Sequence, residues 1–129
     1  MKLAYLPFCP LLLVACSSAA ESTTTGTGPS GVTSTQSLTQ LTDDEIARLC
    51  DWMLATEGGA GKITKCPGGS ERETHTRERC IESLKAIRPL SLRCTITVGD
   101  AEQCSLDEQK DTCAKHPSCD KIKQCVNDG

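Results

Sequence analysis

Apolar positions recur at helical spacing in several stretches between Thr42 and the end of the chain. Ile46, Leu49, Cys50, Met53 and Leu54 stand at i, i+3, i+4, i+7 and i+8, which places them on one stripe of a helix. Thr42-Asp43-Asp44-Glu45 supplies a capping box ahead of that stripe, and Leu41 and Ile46 are placed as a hydrophobic staple. The acidic residues of this first turn also complement the positive end of the helix dipole. Gly58-Gly59 marks the stop. Ser70-Glu71-Arg72-Glu73 reads as a second capping box, opening a helix with Cys80, Ile81, Leu84 and Ile87 on one face and Pro89 as its end. Cys94-Thr95-Ile96-Thr97-Val98 fits a short strand, but Thr97 with Asp100 three positions on fits a helix start at Val98, with Ala101 and Cys104 facing inward. The helix is the favoured reading. Ser118 is expected to cap a last helix with Cys119, Ile122, Cys125 and Val126 on one side. Residues 42–129 therefore read as an all-α domain, a small bundle of four or five short helices without internal repeats.

The first forty residues follow a different pattern. Met1-Lys2 gives a positive start, and Leu3 to Ala15 is an apolar run, shorter than the ~20 residues that span a bilayer and suited to the core of an export signal. Leu13-Val14-Ala15-Cys16 resembles a bacterial lipobox. That resemblance implies a signal peptide over residues 1–15, cleavage before Cys16, and a diacylglyceryl thioether with an N-acyl chain such as palmitate on that cysteine. A thiolate is the side chain nucleophilic enough for this chemistry near neutral pH. The competing reading is ordinary secretory cleavage near Ser18-Ala19-Ala20, which discards Cys16; Cys9 is removed on either reading. Residues 16–41 are dominated by Ser, Thr and Gly and read as a flexible tether, with a typical reach of roughly 25–30 Å for about 24 residues. Two or more acyl chains hold a protein stably on a membrane. Ser17 after the cysteine points to the outer membrane by analogy with enteric lipoproteins.

Composition changes the picture in one respect. Large apolar residues are few and Trp52 is the lone aromatic beyond Phe8, so apolar burial cannot by itself order a domain of this length. The domain keeps eight cysteines, Cys50, Cys66, Cys80, Cys94, Cys104, Cys113, Cys119 and Cys125. An even set in a small exported domain implies disulfides, each worth about 2–4 kcal/mol. Of the 105 possible pairings, Cys119 with Cys125 is disfavoured. On a continuous helix they lie about 9 Å apart at ~1.5 Å per residue, beyond the ~7 Å limit of a bridge. The rival is zinc on Cys113, His116, Cys119 and Cys125, a soft donor set. No CxxC pair accompanies it and Pro117 interrupts it, so neither a metal nor a cofactor is expected.

The formal charge is −3 and acidic and basic residues are interspersed; without a basic stripe interleaved with aromatics, no nucleic-acid partner is expected. His75 and His116 both sit among polar neighbours, and no GxSxG, HExxH or P-loop motif occurs. Gly58-Gly59-Ala60-Gly61-Lys62 lacks phosphate-loop spacing and reads as a turn. The lipobox, the Ser/Thr tether and eight spaced cysteines together resemble the small cysteine-rich lipoproteins common in myxobacterial genomes, a layout that implies a place in the cell envelope and no assigned activity. The expectation is a monomeric, non-enzymatic lipoprotein. Its domain would serve binding to a surface or periplasmic protein partner, or the structure of the envelope, with an exposed patch near Trp52. A small metal-dependent or hydrolytic enzyme, built where His75 or His116 meets carboxylates, is the alternative.

Overall fold

Thr42 opens the first helix as its pattern predicts: its side chain accepts from the Glu45 amide, and Glu45 reaches back to the Thr42 backbone N–H. The computed structural model of the protein describes residues 26–90 and 93–127. The expected export signal, the expected lipidation site Cys16 and the first part of the expected tether lie outside them. Four helices carry the fold: α1 (Asp43–Thr56), α2 (Arg77–Ile87), α3 (Val98–Lys110) and α4 (Pro117–Asn127). Single 3-10 turns stand at Leu38–Gln40 and Arg88–Leu90. None of the described helices is long and apolar enough to cross a membrane. α1 packs against α2 and α3, and α3 against α4. Leu38, Leu41, Ile46, Leu49, Ile87 and Val98 form the centre of the core.

The domain is mostly helical rather than all-α, because Ser70–Glu73 does not start a helix. Gly68 and Gly69, at φ 88° and 83°, turn the chain tightly. β2 (Glu71–Glu73) thereby returns antiparallel onto β1 (Ile63–Lys65), with Thr64 opposite Arg72. Thr76 instead caps α2, accepting from the Arg79 amide. The exposed hairpin competes successfully with a capping-box sequence because the glycine pair sits immediately before it.

A second difference concerns the tether. From Gly26 on, the Ser/Thr/Gly-rich segment is built into the domain. Val32 and Leu38 are buried in the core, and Leu38 N, Val98 N and Gly99 N bond Ile96 O, Gln36 O and Ser34 O across two antiparallel segments. What fastens the polar part is Glu102, buried within α3, whose carboxylate accepts from Ser30 N (3.1 Å), Ser30 Oγ (2.6 Å) and Ser34 Oγ (2.9 Å). Two apolar residues and one buried acceptor suffice to fix a segment whose composition reads as linker.

The remaining expectations resolve locally. Residues 95–97 run extended, with one bridge between Ser37 and Thr97, and α3 starts at Val98 under a Thr97–Asp100 capping box. α4 starts one residue earlier than its expected cap, with Pro117 in its first position. Ser118 is thus inside the helix, and its hydroxyl donates to Asp107 Oδ2 at 2.8 Å. That carboxylate also accepts from Lys110 and Gln103, and the three donors hold it down to a pKa of about 2.

Candidate functional site

All eight cysteines of the domain are paired: Cys50–Cys80, Cys66–Cys113, Cys94–Cys125 and Cys104–Cys119, with Cα separations of 4.8 to 5.9 Å. Cys119 and Cys125 are not joined to each other. The set Cys113, His116, Cys119, Cys125 is dispersed, since each cysteine is bonded elsewhere and His116 Nε2 meets the Asp111 carbonyl at 2.7 Å. Cys104, Glu108 and Cys119 place their side-chain atoms within 4.8 Å of one another. The two sulfurs there are spent in one bridge, so the cluster offers a metal a single carboxylate and no thiolate.

The bridges divide the helices into two stapled pairs, Cys50–Cys80 tying α1 to α2 and Cys104–Cys119 tying α3 to α4. Between them lies a cleft of about 620 Å³ lined from all four helices. Met53 and Leu54 come from the end of α1, Leu84 and Ile87 from α2, and Ile122 from α4. The Cys104–Cys119 bridge forms part of the wall. Met53, Leu90 and Ile122 remain partly exposed there, packed on the core from outside. The size and the mostly apolar lining with few polar groups are those of a small-molecule site.

Its polar groups are Glu57, His75, Ser83, Glu108 and Lys123. Glu57 follows the last turn of α1 and its Oε1 accepts from Ser105 Oγ at 2.8 Å. Burial pushes the Glu57 carboxyl above its ordinary value; the Ser105 bond opposes this, and the neighbouring Glu108 charge adds to it. His75 lies just ahead of the α2 cap, and no hydrogen bond joins it to Ser83, Glu57 or Glu108. Trp52 is half-buried on α1 and does not line the cleft; Met53, one residue on and likewise half-buried, does.

Of the two histidines singled out in the sequence, one reaches the cleft and one does not. Glu57 went unnoticed although it had a signal; Glu108, with Asp107, reads in the sequence as a helix-start charge, whereas it lies near the end of α3. An acidic side chain at the negative end of a helix opposes the dipole, and α1 has no basic residue in its last turn to offset it. No family model, no curated protein and no solved structure matches this chain.

Proposed function

We propose that the chain is a lipid-anchored protein of the bacterial cell envelope, held by Cys16 on the outer membrane, whose disulfide-stapled domain is a binding module and not an enzyme. The observation that carries the binding reading is the 620 Å³ apolar cleft between the two stapled helix pairs. Support for the anchor is the lipobox-like Leu13-Val14-Ala15-Cys16 directly after an apolar run. The Ser/Thr/Gly-rich residues between Cys16 and Gly26 then serve as the tether, shorter than composition alone suggests because the chain joins the domain from Gly26 on.

The deciding experiment is the intact mass of protein extracted unreduced from membranes. The expected value is residues 16–129 plus acyl chains, less eight hydrogens, two for each of four bridges. A mass starting after Cys16 and without lipid overturns the anchor, and free thiols overturn the stapled domain.

A small hydrolase is the second reading, favoured by one observation: His75, Ser83, Glu57 and Glu108 line the same cleft. It requires His75 to approach Ser83 on substrate binding. Hydrolysis of short apolar esters that is lost in both Ser83→Ala and His75→Ala is its expected mark, and turnover unchanged in both variants sinks it.

A further inference from the structure

Glu57 is bonded to Ser105 on α3 and Glu108 stands three residues further along that helix, so the two carboxylates are neighbours in a cleft that is otherwise mostly apolar. Glu57 has one hydrogen-bond donor, Ser105 Oγ, on one of its two oxygens, and Glu108 is held against the Cys104–Cys119 bridge. Among the described residues, no lysine or arginine forms an ion pair with either carboxylate; Lys123, which lines the cleft, lies instead at 4.0 Å from Asp120. Two acidic groups that no cationic side chain pairs with are a costly arrangement in a partly desolvated site. A bound cation removes both the repulsion and the unmet acceptor capacity. An inorganic cation would use the carboxylates and leave the apolar walls exposed, whereas an organic cation fills both parts of the cleft.

We propose that the cleft binds an amphipathic cation, a primary ammonium group on an aliphatic body, with the ammonium between Glu57 and Glu108 and the body against Met53, Leu84, Ile87 and Ile122. This rests on the reading of the cleft as a binding site and names its ligand class. The ammonium offers three donors, enough to serve both carboxylates at once. An anionic amphiphile meets the same walls but places like charge beside the acidic pair.

The chain provides its own probe. It has two methionines, Met1 and Met53. Labelling the methionine methyl groups of the lipidated protein in nanodiscs therefore gives one signal from the cleft, the other being lost with the leader. Octylamine, 1-octanol and octanoate are titrated against that signal at pH 7. Octylammonium is expected to bind about tenfold tighter than octanol, as suits a charge-assisted hydrogen bond, with octanoate weakest. Glu57→Gln and Glu108→Gln should each erase the margin over octanol while octanol binding itself persists, which also shows that the variants are folded. Equal binding of amine and alcohol, or tightest binding of octanoate, overturns the cation and leaves an apolar binding site standing. A methyl signal unmoved by all three overturns the cation and the binding cleft together.

Discussion

Glu102 is the residue on which the N-terminal segment depends. A buried carboxylate that loses its donors, or donors that lose their acceptor, leave polar groups without partners where water does not reach them, a cost of about 1–3 kcal/mol per group. Glu102→Ala orphans Ser30 and Ser34 together. It is expected to lower stability by about 2–3 kcal/mol in denaturant titration, with hydrogen exchange rising first between residues 28 and 36. Gly28 belongs to the same device, for a Cβ there would stand 2.2 Å from both Glu102 oxygens. Gly28→Ala should therefore release the same segment. Glu57 presents the opposite case, a residue whose burial costs stability. Its folded-state pKa is raised above the ordinary 4.5, so the native state binds the proton more tightly than the unfolded chain. The resulting destabilisation is full above the raised value and disappears as pH falls through it to below the unfolded one. Glu57→Gln keeps an acceptor for Ser105 and cannot ionise. Its melting temperature should exceed the parent's at pH 7 and converge with it below about pH 4; a gap that persists in acid would assign the effect to packing instead.

At the scale of elements, α1 and α3 were legible because their start signals are local: a capping box needs four consecutive residues and no tertiary partner. The hairpin was not, because Ser70-Glu71-Arg72-Glu73 satisfies the capping pattern and β1 and β2 are only three residues each, too short for alternation to register. The packed part of the tether was hidden for a related reason: Val32 and Leu38 are isolated among polar residues, and their burial depends on Ile96 and Glu102 more than fifty positions away. The candidate site is non-local in the same way, since Glu57, His75 and Glu108 share no sequence pattern and meet only when the helix pairs assemble. That most residues of the hairpin are exposed has a consequence for stability. Cys66–Cys113 ties its turn to the segment after α3, whereas the other bridges act within or beside the helices. Replacing both Cys66 and Cys113 by alanine should remove exchange protection from residues 61–74 while leaving α1 and α3 protected. Uniform loss of protection would mean that this bridge holds the entire domain.

For the whole molecule, the thin apolar set and the four bridges are two sides of one fact. Among the described residues the buried core contains few large side chains and no aromatic one, and three of its members, Cys50, Cys80 and Cys94, are themselves half-cystines. A domain of this size has little net stability to lose, typically about 5–15 kcal/mol. The bridges close loops with sequence separations of 30, 47, 31 and 15 residues, and at ~2–4 kcal/mol each they account for roughly 8–16 kcal/mol. Complete reduction therefore removes as much as the domain possesses. The reduced and alkylated chain is expected to lose its helical circular dichroism at 25 °C and pH 7 and to move the Met53 methyl signal to its random-coil position. Any one bridge removed alone should leave the helices formed. The cleft makes this measurement bear on binding as well, because its two halves are fastened internally by Cys50–Cys80 and Cys104–Cys119 and are joined to each other by Cys66–Cys113, Cys94–Cys125 and the packing of α1 on α3. If the reduced chain kept both its helices and its Met53 environment, burial alone would hold the two pairs together, and the cysteines would have to be explained by something other than stability.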